Sequence, residues 1–265
     1  MPRPPRFHVA RYRVDGRRFI GWIDDDRLVR LTAPPWEGGV ETGEHDRLDE
    51  ARFEAPVRPG KIVCIGLNYR AHIAESLSVS PGAAPPSEPL LFLKPPSAVL
   101  DPEAAIRYPS GVTRLDPEAE LAVVIGRRAR RVSRQDALAH VAGLTAFNDV
   151  SARNLQKQDG QWTRAKGFDT FAPLGPWITV GLSPGRLDVV CRVNGETRQR
   201  GNTADLSFPV DLLVSFVSLV MTLEPGDVIA TGTPAGIAPI EIGDVVEVEV
   251  EGVGVLRNPV AAEEA

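Results

Sequence analysis

The sequence predicts an α+β protein that is rich in β-structure. Short apolar runs bounded by Gly, Pro or Asp recur along the chain, as expected of strands. Two segments stand out as helices, and the strand-like runs do not alternate regularly with long helices. A doubly wound parallel sheet is therefore not expected.

The first 60 of the 265 residues are predicted to form a small domain that contains β-strands. Residues 7–31 have the pattern of short strands, and Asp15-Gly16 supplies the positive φ angles of a hairpin turn. A loop rich in Pro and Gly is expected over residues 32–43. A Pro- and Gly-containing stretch ends at Gly60, which places a domain boundary there, between domains 1–60 and 61–265.

The larger domain is predicted to contain seven further strands, at residues 90–93, 121–125, 143–147, 177–180, 187–193, 228–231 and 245–250. The pattern Ser133-x-x-Asp136 matches a capping box before a helix over 137–141. Pro209 opens a second helix over 209–221, which carries one apolar stripe.

Composition and charge exclude several classes of protein. The formal net charge of −5 argues against a nucleic-acid binder or a protein that binds acidic membranes. Cys64 and Cys191 lie far apart, so neither a disulfide framework nor a cysteine metal site is indicated. No segment has the pattern of a secretory signal or a membrane span. A soluble protein in a reducing cytoplasm is expected.

Two glutamates open the predicted strand at 121–125. Side chains two residues apart on a strand share one face, so Glu118 and Glu120 project together. Their face continues as Ala122 and Val124, which suggests a pocket where a polar strand end meets an apolar interior. The alternative from the same pattern is a solvated strand.

Asp149 follows the predicted strand at 143–147 and has two interpretations. It is either the N-cap of a helix or a third carboxylate beside Glu118 and Glu120. Three carboxylates and water would form an all-oxygen shell suited to Mg²⁺ or Mn²⁺. Without a cation they would repel one another strongly.

Three further residues are candidates for acid–base chemistry and substrate contact. His72 and Glu75 would meet on a helical turn, where the carboxylate fixes the imidazole tautomer; an ordinary surface pair is the alternative. Lys166 beside Gly167 could approach a substrate oxygen, or it is a surface lysine. Only four of the 30 basic residues are lysines, which weakens the surface-lysine alternative for Lys166.

These segments, in this order, closely resemble the fumarylacetoacetate hydrolase family. The resemblance covers residues 61–259 and rests on the following motifs: Ile65-Gly66-Leu67-Asn68-Tyr69 with His72 and Glu75, Glu118-x-Glu120, Asn148-Asp149-Val150-Ser151-Ala152-Arg153 with Gln156, Lys166-Gly167-Phe168-Asp169, Gly201-Asn202-Thr203, Met221-Thr222-Leu223-x-Pro225-Gly226-Asp227, and Thr231-Gly232-Thr233-Pro234-x-Gly236. One departure is that no aspartate stands near Asn68-Tyr69, where some family hydrolases carry a further metal ligand.

The resemblance implies a fold, an assembly and a set of roles. The fold would be a mixed β-roll catalytic domain behind a small N-terminal domain, usually in a homodimer. The implied roles are metal ligation by Glu118, Glu120 and Asp149, catalysis by His72, Glu75 and Lys166, and substrate binding by Tyr69, Arg153, Gln156 and Thr233.

The expected activity is metal-dependent chemistry on a 2-oxo acid or diacid, by C–C cleavage, decarboxylation or isomerisation through a metal-bound enolate. The favoured type is 2-hydroxyhepta-2,4-diene-1,7-dioate isomerase / 5-oxopent-3-ene-1,2,5-tricarboxylate decarboxylase of aromatic catabolism. Acylpyruvate hydrolysis and oxaloacetate decarboxylation are alternatives. A non-catalytic binding protein of the same fold and a carbohydrate-processing enzyme that uses Glu118 and Glu120 are more remote ones. Substrate selectivity is expected to come from loops 78–88 and 156–164.

Overall fold

A computed structural model describes residues 6–79 and 85–263 of the chain. The N-terminal part contains five strands: β1 (Phe7–Val14), β2 (Arg17–Asp24), β3 (Arg27–Leu31), β4 (Glu41–Arg47) and β5 (Arg52–Glu54). Asp15 and Gly16 connect β1 to β2 with φ angles of 49° and 76°. The hairpin turn predicted at these two residues is confirmed.

The rest of the chain adds fourteen strands and four α-helices in the described residues. The strands are β6 (Ile62–Gly66), β7 (Leu90–Lys94), β8 (Val99–Leu100), β9 (Ile106–Tyr108), β10 (Leu115–Asp116), β11 (Ala119–Ile125), β12 (Val141–Asn148), β13 (Ser151–Ala152), β14 (Ala172–Val180), β15 (Asp188–Val193), β16 (Glu196–Asn202), β17 (Val228–Ala230), β18 (Val245–Val250) and β19 (Gly254–Ala262). The helices are α1 (Arg70–Val79), α2 (Arg153–Asp159), α3 (Thr163–Lys166) and α4 (Val210–Val220). The predicted β-rich α+β class is confirmed.

Most strands join one mixed sheet of twelve. Its order is β4-β3-β2-β1-β14-β12-β11-β17-β6-β7, with β5 paired to β1 and β8 to β14. A second sheet has the order β16-β15-β18-β19-β9, and β10 pairs with β13. Because β1 pairs with β14, the large sheet runs through both predicted domains. The domain boundary near Gly60 stays a prediction.

Strand β11 lies in the middle of the large sheet and is buried on both faces. Leu121, Val123 and Ile125 pack into the main hydrophobic core, together with side chains of β15 and β18. Ala122 and Val124 pack into a second core on the opposite face. A central strand covered on both sides needs apolar residues throughout, which explains why 121–125 is a continuous apolar run.

The seven apolar runs predicted as strands overlap β7, β11, β12, β14, β15, β17 and β18. Two other expectations need correction. Residues 137–141 do not form an α-helix; a 3-10 helix over Ala137–His140 is followed at once by β12, because Val141 already pairs with Ile125. The expected loop over 32–43 ends early, since the polar strand β4 begins at Glu41.

Helix α4 agrees with the predicted second helix, with Pro209 as its N-cap residue. None of the helices in the described ranges combines the length and the apolar character that a membrane span requires.

Candidate active site

Three carboxylates meet where β11 begins and β12 ends. The two strands are antiparallel with Ala119 opposite Asn148, so Asp149 comes to lie beside Glu118, and its N–H donates to the Glu118 carbonyl at 2.9 Å. Ligand oxygens of Glu118, Glu120 and Asp149 all lie within 4.8 Å of one another. The three side chains are 6%, 1% and 0% exposed. The solvated-strand alternative for the two glutamates is therefore wrong.

Asp149 is also not a helix cap. Helix α2 begins at Arg153 with Ala152 at its N-cap position, three residues beyond Asp149. The carboxylate of Asp149 instead receives two lysine ammonium groups, one on each oxygen.

Lys166 bridges two of the carboxylates. Its Nζ donates to Glu118 Oε2 at 2.9 Å and to Asp149 Oδ2 at 2.7 Å. Burial acts to lower the pKa of Lys166, but Asp149 and Glu118 hold it above its ordinary value. The side chain is only 2% exposed, so the surface-lysine alternative is wrong.

Lys94 is a second buried cation of the site, and no role was predicted for it from the sequence. Its Nζ donates to Asp149 Oδ1 at 2.5 Å and to the Val150 carbonyl at 3.0 Å, from the end of β7. Burial lowers the pKa of Lys94 although Asp149 opposes that shift. A lysine that ends an apolar strand, in a chain that otherwise prefers arginine, was the available signal.

Arg153 fixes the first turn of α2 to the carboxylates. Its Nε donates to Asp116 Oδ2 at 2.9 Å, and its Nη2 lies 2.5 Å from Glu118 Oε1. Its Nη1 donates to Gln156 Oε1 at 2.8 Å. Burial would raise the pKa of Glu118, but Lys166 and Arg153 hold it below its ordinary value.

Glu120 is the carboxylate of the three without an ion pair in the described part of the chain. It accepts a hydrogen bond from Gly232 N–H at 2.8 Å. Burial, followed by the charges of Asp149 and Glu118, raises the pKa of Glu120 well above its ordinary value. An anionic Glu120 in this position requires a compensating cation.

His72 and Glu75 form the pair that the sequence predicts on the first turns of α1. His72 Nδ1 lies 3.0 Å from Glu75 Oε2, and the Gly236 N–H donates to Glu75 Oε1 at 3.4 Å. A carboxylate only accepts, so Nδ1 carries the proton in this bond, and in the neutral imidazole the lone pair is then on Nε2. His72 is 8% exposed, which does not fit a surface pair.

Thr233 lies in the loop that follows β17 and is held by two buried partners. Its Oγ1 donates to the Ala119 carbonyl at 2.9 Å and accepts from Gln199 Nε2 at 2.8 Å. Gly232 has a φ of 97°, and a Cβ there would lie 2.9 Å from the Asn68 Cβ, so the loop approaches β6 closely.

Asn68 and Gln199 position these loops, and neither was predicted from the sequence to have a role in the site. Asn68 Nδ2 donates to the carbonyls of Thr231 and Phe208 at 2.8 and 3.1 Å, which ties the segment before α1 to the loop after β17. Gln199 Oε1 accepts from Ala119 N–H at 3.0 Å. Their long-range partners carry no local sequence signal.

A cavity of about 430 Å³ brings most of the predicted site residues together. Its polar lining consists of His72, Glu118, Arg153, Gln156, Lys157, Lys166 and Thr233. Its apolar lining includes Leu67, Phe92, Trp162 and Ile237. Phe92 and Trp162 make an edge-to-face contact with ring centroids 5.2 Å apart.

Tyr69 does not line this cavity, although it was predicted to contact substrate. It is 2% exposed, and its hydroxyl has no hydrogen-bond partner in the described residues. Its predicted role is not supported by its position. Of the two predicted selectivity loops, 156–164 is largely helical, because it begins inside α2 and ends inside α3. This segment contributes Gln156, Lys157 and Trp162 to the lining. Residues 80–84 of the other loop lie outside the described residues.

Two family models match the chain. Residues 61–261 match the model described as fumarylacetoacetate (FAA) hydrolase C-terminal, and residues 8–56 match that described as Rv2993c-like, N-terminal. Among curated relatives, an uncharacterized protein of Archaeoglobus fulgidus is 53% identical over 94% of both chains. Oxaloacetate tautomerase FAHD2A, mitochondrial, of Bos taurus is 43% identical over 80% of this chain and 70% of its own.

Solved structures are similar over almost the whole chain. A 5-carboxymethyl-2-hydroxymuconate delta-isomerase from Mycobacterium smegmatis is 40% identical with a TM-score of 0.89, covering 97% of this chain and all of its own. A 2-hydroxyhepta-2,4-diene-1,7-dioate isomerase from Mycobacterium marinum is 38% identical, with TM-score 0.89 and coverages of 98% and 100%. A maleylpyruvate hydrolase from Sphingobium sp. SYK-6, in complex with manganese (II) ion and pyruvate, is 29% identical, with TM-score 0.79 and coverages of 97% and 100%. The chain belongs to the fumarylacetoacetate hydrolase family.

Proposed function

We propose that this protein is a divalent-metal-dependent enzyme that moves a proton beside the carbonyl of a 2-oxo diacid. The proposed type is 2-hydroxyhepta-2,4-diene-1,7-dioate isomerase / 5-oxopent-3-ene-1,2,5-tricarboxylate decarboxylase. The observation that carries this is a single cavity lined by His72, Glu118 and Lys166. Similarity to two isomerases and to an oxaloacetate tautomerase supports it, because their names describe enol–keto or double-bond isomerisation.

The residues present fit a divalent cation. Glu118, Glu120 and Asp149 would hold it, and the fit rests on the buried carboxylate of Glu120, which has one N–H donor and no ion pair among the described residues. An all-oxygen set of this kind suits Mg²⁺ or Mn²⁺ better than zinc. When bound, the cation would act as a Lewis acid and stabilise negative charge that develops on the substrate's oxygens.

His72 is the proposed proton carrier. Because Nδ1–H donates a hydrogen bond to Glu75, the neutral imidazole presents its lone pair at Nε2. The Glu75 carboxylate also stabilises the imidazolium that forms once Nε2 has taken a proton from the carbon next to the carbonyl. The same imidazolium then returns the proton at the new position.

Lys166 is proposed to bind a substrate oxygen. An ammonium group has three N–H donors, and two of them are directed at Glu118 and Asp149. The third remains for an oxygen in the cavity that Lys166 lines. A fixed cation there favours the enolate form of the substrate over the ketone.

The test is an activity panel with metal-stripped protein reloaded with Mg²⁺ or Mn²⁺. The substrates are unsaturated seven-carbon diacids, oxaloacetate and acylpyruvates, followed by ultraviolet absorbance. We expect turnover only with metal and fastest on the seven-carbon diacids. Full activity in excess chelator would contradict the metal role. Binding of diacids without turnover of any would favour the non-catalytic alternative.

His72→Ala separates the reactions. We expect it to slow proton transfer by about a hundredfold or more, the usual contribution of a general base. Decarboxylation should suffer less, because it releases CO₂ rather than a proton. His45→Ala, at an exposed histidine outside the cavity, is the matched control.

Hydrolysis of an acylpyruvate is the second candidate. It is favoured by the structural similarity to a maleylpyruvate hydrolase. The same His72 would activate water, so hydrolysis should be lost in His72→Ala as fully as isomerisation. Oxaloacetate decarboxylation is the third reaction that the panel distinguishes.

A further inference from the structure

One face of α2 forms part of the cavity wall. Arg153, Gln156 and Lys157 stand at positions i, i+3 and i+4, which share a helix face, and all three line the cavity. Arg153 is bound to Asp116 and Glu118, so this face is fixed relative to the carboxylates. Lys157 lies one helical turn beyond Arg153, roughly 6 Å further along the axis.

Lys157 differs from the other cations of the cavity. Lys166 and Arg153 are both paired with carboxylates. The side chain of Lys157 is exposed, and its ammonium group has neither a hydrogen bond nor an ion pair within residues 6–79 and 85–263. Its charge is therefore available to a ligand that enters the cavity.

An ordinary solvated lysine is the simpler explanation, and the use of lysine in this chain argues against it. The chain has four lysines among 30 basic residues. Each of the other three binds a carboxylate: Lys61 binds Asp227, Lys94 binds Asp149, and Lys166 binds Glu118 and Asp149. Among the four lysines, Lys157 is the one without a carboxylate partner in the described structure.

The charges around the triad favour a ligand with two negative groups. With Glu120 ionised, the four carboxylates of Asp116, Glu118, Glu120 and Asp149 equal in number the four cations of Arg114, Arg153, Lys94 and Lys166, although Glu120 is paired with none of them in the described residues. A divalent cation would add two positive charges, which a dianion offsets fully and a monoanion by half. The apolar lining of Phe92 and Trp162 suits the carbon chain between two carboxylates.

We propose that Lys157 determines specificity by binding the second carboxylate of a 2-oxo diacid, with the 2-oxo acid end beside Lys166. This placement of the 2-oxo end rests on the proposed function. Lys157 thus selects diacids over monoacids with the same chain, and it takes no part in the proton transfer.

The test is calorimetric binding to the Mn²⁺-loaded protein without turnover. The probes are 2-oxoglutarate and 2-oxopentanoate, which have the same chain length and differ in the second carboxylate. We expect Lys157→Gln to weaken 2-oxoglutarate binding by about fivefold, as expected for an ion pair at an exposed rim. The affinity of Lys157→Gln for 2-oxopentanoate should stay within twofold of the wild-type value. Lys157→Glu should weaken binding of 2-oxoglutarate further.

Arg186→Gln is the matched control, because it removes an exposed positive charge that does not line the cavity. It should bind both acids as wild type does. The role of Lys157 is overturned if Lys157→Gln and wild type have equal affinity for the diacid, or if the variant loses affinity for both acids equally. Either result leaves the proposed function standing. A wild-type protein that binds neither acid also overturns the role of Lys157, whereas the proposed function is decided by turnover in the activity panel.

Discussion

The carboxylate of Glu120 is the group of the site whose ionised form most needs a bound cation. It is buried beside two other carboxylates and accepts one hydrogen bond from an N–H. We expect Glu120→Gln to keep the hydrogen bond from Gly232 and to lower Mn²⁺ affinity by at least about a hundredfold. The metal-free variant should melt no lower than wild type, since a buried charge has been removed. Calorimetry and thermal melts with and without chelator measure both effects. Unchanged Mn²⁺ affinity would remove Glu120 from the ligand set.

Lys94 is predicted to stabilise the metal-free site rather than to meet substrate. Lys94→Met should lower the free energy of unfolding by about 3 kcal/mol, because it leaves one oxygen of buried Asp149 without its cation. Urea unfolding of the metal-free protein measures this loss. Added Mn²⁺ should recover part of it, since the metal supplies positive charge to the same carboxylate. A loss below about 1 kcal/mol, with no response to Mn²⁺, would show that Asp149 does not need Lys94.

At the scale of elements, Thr233 connects the loop after β17 to β11 and β16. Thr233→Val should destabilise the protein by about 2 kcal/mol, because the Ala119 carbonyl and Gln199 Nε2 lose their buried partner. Thr233→Ser keeps the hydroxyl and should stay within about 1 kcal/mol of wild type. Thermal and urea unfolding of the two variants distinguish the contribution of the hydroxyl group to stability from that of the methyl group. Equal losses in both variants would contradict the importance of the hydrogen bonds.

The N-terminal strands contain a hydrogen-bonded ion pair whose contribution to stability depends on pH. Asp46 on β4 accepts from Arg30 Nη2 at 2.6 Å and from the Tyr12 hydroxyl at 2.8 Å. The bond from Arg30 holds the pKa of Asp46 below its ordinary value. The charged form therefore stabilises the fold above the ordinary pKa of about 4, and this stability is lost as the pH falls through the lowered pKa.

Asp46→Asn tests the contribution of this ion pair. The variant should be less stable than wild type by about 1.5 kcal/mol at pH 7, and the difference should shrink as the pH approaches 3. Urea unfolding at pH 7, 5 and 3 provides the comparison. A difference that is constant or grows in acid would contradict the assigned sign.

At the scale of the whole molecule, we propose that the chain forms a homodimer, as its family resemblance implies. Light scattering after gel filtration should give twice the 28.7 kDa mass of the chain. Dilution to nanomolar concentration should leave this mass unchanged if the dimer is the working form. A monomer at micromolar concentration would contradict the proposal.

The sequence by itself determined the strand-rich class and the seven apolar strands, because both depend on local patterns. Local patterns also singled out the three carboxylates, but they left the solvated-strand and helix-cap alternatives open, and only the family resemblance favoured metal ligation. Alternation along a strand places Glu118 and Glu120 on one face, and an apolar run ends just before Asp149. The polar strand β4 was not predicted, because its mostly exposed residues lack the alternation of apolar and polar side chains that marks a half-buried strand.

Tertiary structure alone decided which partners surround those carboxylates. Lys94 and Asp149 are 55 residues apart in sequence, and Gln199 and Thr233 are 34 apart, so no local pattern connects them. It also placed Tyr69 outside the cavity and Lys157 on its wall. The physical reason is that a buried charge or hydrogen-bonding group takes its partner from whichever strand the sheet brings beside it.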